Sequence, residues 1–298
     1  AMSALELVQR GLQDPIKVFI KQEPHKIAKI EAGKLRIISN VSIVDQLIER
    51  VLCSKQNKLE ILNWKSCPSK PGMGLNDSGL KELYFEVMEA QKKSDLAETD
   101  VSGWDWSVPS WLLQLDVDCR VRLYHSPPDS VLTRLLLFRG HAVANKVFAL
   151  SDGTLYQQLV PGVQASGSYN TSSTNSRMRV LLAWLIGCAW VIAMGDDDVE
   201  SRVDDARNLY SNLGFTVKDY KVLEQGSFEF CSTKFEGNWR GYPSQWLRTV
   251  FRYLSHSLAS HSVNPEFRGQ LVGDLRHHPN QQEILSSCDM VVDSMSKL

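Results

Sequence analysis

Apolar and polar positions follow two different periods along this chain, and the switches between them mark its elements. From about Leu80 to Lys93, the residues Leu80, Leu83, Val87 and Ala90 recur at helical spacing, which predicts a helix. The Pro/Gly/Ser-rich stretch before it, residues 65–79, reads as a loop. Leu96–Val101 alternates as a strand does: Leu96, Glu98 and Asp100 share one face, and Ala97, Thr99 and Val101 share the other. Ser107 is placed to cap a following helix with Pro109 in its first turn, which sets Asp105 on the strand-to-helix bend. A further helix is expected over about Thr171–Ile186. The longest uncharged apolar run, Val180 to Met194, is shorter than the roughly 20 residues a membrane span needs. It reads as a buried helix end followed by a buried strand over Trp190–Met194. Gly195-Asp196-Asp197 is then a tight turn into a returning strand. Asp204–Leu213 reads as a helix stopped by Gly214, Phe215–Val217 and Phe228–Cys231 as strands, and Trp246–His256 as a helix. The C-terminal stretch beyond carries little pattern.

Strands and helices mixed without a regular βαβ rhythm predict an α+β fold with helices on one face of a sheet. Neither a G-x-G-x-x-G nor a G-x-x-x-x-G-K-[ST] run occurs, so dinucleotide-binding and P-loop chemistry have no support. At 298 residues, 43% hydrophobic and 22% charged, the composition is that of an ordinary soluble globular protein with room for more than one subdomain. The six cysteines are scattered without zinc spacing and read as free thiols. No signal peptide is recognisable, and Ala1-Met2-Ser3 reads as the start of an internal fragment.

Net charge is only −1, but the charges are segregated. Residues 17–36 hold Lys17, Lys21, Lys26, Lys29, Lys34 and Arg36 against Glu23 and Glu31, while residues 196–205 hold Asp196, Asp197, Asp198, Glu200, Asp204 and Asp205 against Arg202. The basic run, read as strand–turn–strand, suits a triphosphate or an RNA backbone. The acids matter more. Asp100-x4-Asp105 and Gly195-Asp196-Asp197-Asp198 each place carboxylates at the end of an apolar strand. Carboxylates from separate strands are what a two-metal phosphoryl-transfer site needs. Between them, Ser166-Gly167-Ser168-Tyr169-Asn170-Thr171 leads into a helix whose Thr171 and Asn175, at i and i+4, share a face with apolar Met178 and Leu182. Polar groups on a buried face need partners, and a ribose hydroxyl would supply one. Asp198 is expected to face solvent.

Each of these signals is weak alone; their order is not. A basic hairpin, D-x4-D, SG-x3-T-x3-N and GDD resemble the motif series of the RNA-dependent RNA polymerases of positive-strand RNA viruses. Ser-Gly-Trp-Asp-Trp-Ser-Val after Asp100 and Ala-Met-Gly-Asp-Asp at 193–197 are most similar to the sobemovirus, polerovirus and barnavirus group. The resemblance covers roughly residues 17–240. It implies a right-hand polymerase: a palm of antiparallel sheet flanked by helices, partial fingers and a small thumb. The implied division is fingers over 1–94, first palm segment over 95–125, a fingers/palm connection over 126–160, second palm segment over 161–236 and thumb over 237–298. It implies that Asp100, Asp196 and Asp197 bind two Mg2+ ions, with Mn2+ able to substitute. Asp105 and Asn175 would read the ribose 2′-hydroxyl, with Ser166 and Thr171 supporting them. Lys21, Lys29 and Arg36 would contact the triphosphate. Lys221, or Lys218, would protonate pyrophosphate, and Phe230-Cys231-Ser232 would be the primer-grip turn. The implied partners are an RNA template with a primer or nascent strand, ribonucleoside triphosphates and other viral replication proteins, with no membrane span in this chain. The implied location is the host cytoplasm at replication complexes. A reverse transcriptase, a metal-dependent nuclease and a non-catalytic RNA-binding fragment are the competing readings.

Overall fold

The computed structural model describes residues 3–25, 27–259 and 265–295. Lys26, part of the basic run, lies outside the described residues. In chain order the elements begin α1 (Ala4–Gln9), β1 (Ile16–Ile20), α2 (Ile27–Glu31), β2 (Ile37–Asn40), α3 (Ile43–Leu62), α4 (Asp77–Gln91) and β3 (Leu96–Val101). They continue with α5 (Trp104–Ser107), α6 (Ser110–Leu123), α7 (Val131–Ala144), β4 (Val147–Ala149), β5 (Leu155–Gln157), α8 (Thr171–Leu185), β6 (Val191–Met194) and β7 (Asp197–Ser201). Last come α9 (Ala206–Asn212), β8 (Val217–Val222), β9 (Ser227–Phe230), β10 (Thr233–Glu236), β11 (Tyr242–Pro243), α10 (Trp246–Ala259), α11 (Pro265–Asp274) and α12 (Gln281–Met295). The chain divides into two compact units, one of residues 1–73 with 96–221 and one of residues 74–95 with 222–298.

The first unit holds two four-stranded sheets, ordered β2-β1-β4-β5 and β6-β7-β3-β8. In the first, the expected basic hairpin forms: β1 and β2 pair antiparallel from Lys17↔Asn40 to Ile20↔Ile37. Its connection is not a simple turn but holds the short helix α2, built from helix-forming Ala28, Lys29 and Glu31. The second sheet carries the acids. β6 and β7 make a hairpin closed by Met194↔Asp197, and β7 pairs antiparallel with β3 from Leu96↔Ser201 to Glu98↔Val199. The free edge of β6 is covered: the Ala193 N–H donates to the Pro68 carbonyl (3.0 Å) and its carbonyl accepts from the Lys70 N–H (2.8 Å).

Helix α8 supports this sheet because its apolar stripe has somewhere to go. Met178, Leu182 and Ala183 are fully buried against Val191 and Ala193 of β6, Leu112 of α6, Trp104 and Phe215. Burying a side chain of the size of Leu182 contributes about 1.5–3 kcal/mol. The Trp104 and Phe215 rings stack with centroids 5.5 Å apart.

In the second unit α4 lies with the β11-β10-β9 sheet: Tyr84 stacks on Phe228 and Phe235 at 6.2 and 6.1 Å. Helix α4 starts at Asp77, before the expected Leu80, because Asn76 accepts the Gly79 N–H at 3.0 Å and caps it earlier. Helices α10, α11 and α12 enclose a separate core of Tyr253, Leu271, Leu275, Ile284, Cys288 and Val292. Three features differ from expectation. Ser107 ends the single-turn helix α5, donating to the Trp104 carbonyl, and Pro109 is the N-cap of α6. Asp105 therefore lies inside a helical turn. Strand β8 runs on to Val222, and β10 follows β9 at once. None of the six cysteines, all among the described residues, is in a disulfide.

Candidate active site

The acidic hairpin is built on a two-residue turn, Gly195-Asp196, with Gly195 at φ +68°, a conformation that suits glycine at the first position of such a turn. Asp197 opens the return strand. Continuing the β3–β7 register past Glu98↔Val199 brings Thr99 opposite Asp198 and Asp100 opposite Asp197. Residues directly opposite in an antiparallel pair project to the same face. Asp100 and Asp197 thus share one face of the sheet end, beside the turn that holds Asp196, and all three are exposed. Asp100 pairs with Lys218 of β8, which raises the lysine's affinity for its proton. Lys221, three residues on, lies 4.0 Å from Glu98. Among the described residues no three acidic, His or Cys side chains form a ready-made metal site.

Asp105 is half-buried and accepts a hydrogen bond from Asn175 Nδ2 at 3.2 Å. Burial pushes its carboxyl above the usual range; the Asn175 bond opposes that, the negative charge of Asp196 adds to it, and Arg36 opposes it. Those influences place the basic hairpin, the acidic turn and the second aspartate of D-x4-D in one electrostatic neighbourhood. Asn175 Oδ1 is buried and has no partner within the protein.

The rest of the Ser/Thr-rich helix start is satisfied internally. The Thr171 hydroxyl meets the carbonyls of Ala165 (3.0 Å), Ser166 (3.1 Å) and Ser168 (2.8 Å). Thr174 meets Asp116 at 3.1 Å, and Ser173 meets Glu60 at 2.6 Å. Arg177 of α8 pairs with both acids, and Arg120, paired with Asp116 on α6, donates to Ser173 and Thr174 at 3.2 Å each. Of the polar groups on this helix start, only Asn175 calls for an outside partner. Ser166 Oγ accepts the Ser39 N–H from β2 at 3.0 Å. Gly167 is there for closeness: a Cβ would lie 2.2 Å from the Ser39 carbonyl oxygen.

Lys21 pairs with Glu23 at 2.8 Å, Arg36 reaches the same carboxylate at 3.3 Å, and Lys29 is exposed on α2. Asp198 does not face solvent. It is fully buried and paired with Arg179, which is fully buried too. The strand alternation that turns Asp197 outward turns Asp198 inward. Burial works against the Arg179 charge, but Asp198, Tyr210 and Glu200 outweigh it and hold the guanidinium protonated. Burial pushes the Asp198 carboxyl up, the Arg179 charge and hydrogen bond pull against that, and nearby Glu200 adds to the rise. Glu200 accepts from Thr99 Oγ1 (2.8 Å) and from the Tyr210 hydroxyl.

An antiparallel sheet end thus bears outward carboxylates near a helix whose Asn175 donates to Asp105 and keeps a buried, unbonded amide oxygen. Comparison with known proteins gives it a family. Residues 1–260 match the family of viral RNA-directed RNA polymerases. Over 312 residues the chain is 42% identical to the RNA-directed RNA polymerase of Mushroom bacilliform virus, covering 100% of this chain and 74% of that one. It is 46% identical over 263 residues to the replicase polyprotein P2AB of Southern bean mosaic virus, covering 85% of this chain and 27% of that one. It is 43% identical over 278 residues to protein P1-P2 of a Potato leafroll virus strain, covering 89% and 25%. Among solved structures it is similar to the RNA-dependent RNA polymerase of a human picorbirnavirus, at TM-score 0.70, 12% identity and coverage of 92% and 57%. The Sicinivirus 3Dpol polymerase also scores 0.70, at 14% identity, covering 99% and 70%. The chain belongs to the viral RNA-directed RNA polymerases, with their right-hand fold; these are nucleotidyltransferases that use divalent metal ions, an RNA template and nucleoside triphosphates. It spans about a quarter of the polyprotein relatives. No helix among the described residues is long and apolar enough to cross a membrane.

Proposed function

We propose that this chain carries the nucleotide-adding centre of a positive-strand RNA virus replicase, joining a nucleoside monophosphate to an RNA 3′-hydroxyl. The observation that carries this reading is the gathering of Asp100, Asp196 and Asp197 at one sheet end, within electrostatic reach of the Asp105–Asn175 pair. Asp100, Asp196 and Asp197 would hold two Mg2+ ions, with Mn2+ able to substitute, since hard carboxylate oxygens suit both. Bound there, the ions would supply activation of the attacking hydroxyl and stabilisation of the leaving oxygen.

The chain's own residues do the positioning. Asn175 Oδ1, which lacks an internal partner, accepts a hydrogen bond from the ribose 2′-hydroxyl, and Asp105 fixes the amide by accepting from Nδ2. Ser166 and Thr171 brace the loop that leads from β5 into α8, Ser166 against β2, rather than touch the sugar. Lys21, Lys29 and Arg36 offset triphosphate charge. A lysine of β8 gives a proton to pyrophosphate. Lys221 has the spacing; Lys218 has the contact with Asp100 and would swing from it to the leaving group. Comparing pH–rate profiles of Lys218→Leu and Lys221→Leu decides between them, because only loss of the true donor removes the alkaline limb.

The fingers, palm and thumb are assigned as 1–94, 95–125 with 161–236, and 237–298, joined by 126–160, and Phe230-Cys231-Ser232 is the primer-grip turn. The template's primer or nascent strand and other viral replication proteins are its partners, at replication complexes in the host cytoplasm. With a primed RNA template and Mg2+, the chain incorporates template-matched ribonucleotides in preference to deoxyribonucleotides. Template-dependent incorporation of neither would overturn the reading.

A further inference from the structure

Each carboxylate of the site, the half-buried Asp105 included, has an immediate chain neighbour anchored inward. Asp100 follows Thr99, whose hydroxyl donates to buried Glu200 at 2.8 Å. Asp105 follows Trp104, a fully buried ring. Asp196 follows Gly195, whose N–H donates to Ser176 Oγ at 2.9 Å. Asp197 precedes Asp198, which pairs with Arg179. Three of these four anchors converge on one stretch of α8. Ser176 sits beside the ribose-facing Asn175, and its hydroxyl is oriented by donating to the Ser172 carbonyl at 2.6 Å. Arg179, one turn further, lies with its guanidinium 5.2 Å from the Trp104 ring and 5.6 Å from the Tyr210 ring. Tyr210 in turn donates to Glu200.

Stability alone is a poor reason for this arrangement. A fully buried ion pair is often no better for the fold than apolar residues of the same volume, because both charges lose their hydration. What such a pair does impose is one geometry, since a planar guanidinium between two rings leaves its carboxylate little freedom. Ser176 and Arg179 grip the residue just before the acidic turn's aspartate and the residue just after the return strand's first one.

We propose that Ser176 and Arg179 are positioning residues, a clamp that holds the hairpin carboxylates from behind and keeps them in register with Asp105 and Asn175. The proposal rests on the assignment of Asp100, Asp196 and Asp197 as metal ligands. Residues that orient metal ligands from behind typically carry about 10–100-fold of metal affinity or activity.

The test uses the full chain with three readouts: Mn2+ binding followed by water-proton relaxation, kcat and nucleotide KM on a primed RNA template, and thermal unfolding. Ser176→Ala is expected to melt within about 4 °C of the parent. Its Mn2+ affinity and kcat each fall by about tenfold or more, while nucleotide KM stays within about twofold. Arg179→Lys keeps the charge and loses the fork, and it shows the same loss of Mn2+ affinity even where its melting point drops. Parental Mn2+ affinity and kcat in Ser176→Ala, or a loss in Arg179→Lys that merely tracks its unfolded fraction, would overturn the clamp. Asp196→Asn is the reference. If it binds Mn2+ as the parent does, the ligand assignment falls and the clamp falls with it; if it loses Mn2+ while Ser176→Ala does not, the clamp alone fails.

Discussion

The outward and inward faces of the β6–β7 hairpin use the same residue type for opposite purposes. Asp196 and Asp197 are exposed at the sheet end, where carboxylate oxygens are accessible to a cation. Asp198, the next residue, is sealed against Arg179, and Glu200 behind it is capped by Thr99 and Tyr210. The outward acids are accessible at the surface, with Asp100 paired to Lys218 across the sheet, while the inward Asp198 and Glu200 are sealed from any substrate. The difference teaches that an acidic run is not one feature: strand alternation divides it into a part available for chemistry and a part that holds the first in place.

The largest expected effect on the inward side is thermodynamic. Asp198→Ala leaves Arg179 charged and buried with its main partner gone, so denaturant unfolding should show a loss of about 3–5 kcal/mol. The paired replacement Arg179→Met with Asp198→Leu removes both charges and should recover most of that loss. A double variant no more stable than the single one would mean that the pair is not the reason for the loss. Next in size is a site effect. Asn175→Ala is expected to lower the preference for ribonucleotides over deoxyribonucleotides by about tenfold, roughly 1.4 kcal/mol, in competition assays. An unchanged ratio would remove Asn175 from the sugar-reading role.

A second hairpin turn sharpens the contrast. Between β9 and β10, Cys231 and Ser232 both adopt left-handed backbone conformations, at φ +50° and +55°, with no glycine to make them easy. Replacing them by Asn-Gly is expected to stabilise the protein by about 1 kcal/mol in denaturant titrations. If the turn grips a primer, the same variant extends primed RNA more slowly. The smallest effect concerns Asp105, whose carboxyl burial holds above its ordinary range. The folded state then keeps its proton longer than the unfolded state. Stability therefore falls as pH rises from the ordinary carboxylate value of 3.8 through the raised one, and the penalty persists above it. Asp105→Asn removes that decline, which unfolding curves between about pH 4 and pH 7 would show as a flatter profile.

Much of this was legible in the residues. The alternation of Leu96–Val101 correctly divides Asp100 from Thr99, and the apolar run into Gly195 marks the buried strand and its turn. What was not legible depended on partners distant in the chain. Nothing near Asp198 announces Arg179, which lies a helix away, so the residue reads as solvated. Thr171 and Asn175 both read as buried-face groups in need of a partner; the structure supplies the Ala165, Ser166 and Ser168 carbonyls to Thr171 and leaves Asn175 Oδ1 without one. Ser107 looks like a cap because Pro109 follows it, yet the chain has already made a helical turn at Trp104. Helices α11 and α12 were not anticipated, although Ile284, Leu285, Cys288, Val291 and Val292 recur at i, i+1, i+4, i+7 and i+8 along α12; that helical period went unread in the C-terminal stretch.

The division between outward and inward acids is tested most directly by measuring nucleotide incorporation and unfolding free energy together on Asp196→Ala and Asp198→Ala. The account predicts that Asp196→Ala unfolds within about 0.5 kcal/mol of the parent, as surface substitutions do. Its incorporation rate on primed RNA falls by about three orders of magnitude, roughly 4 kcal/mol of transition-state stabilisation. It predicts that Asp198→Ala loses stability first. An Asp196→Ala protein that still extends the primer at the parental rate, or an Asp198→Ala protein as stable as the parent, would contradict it.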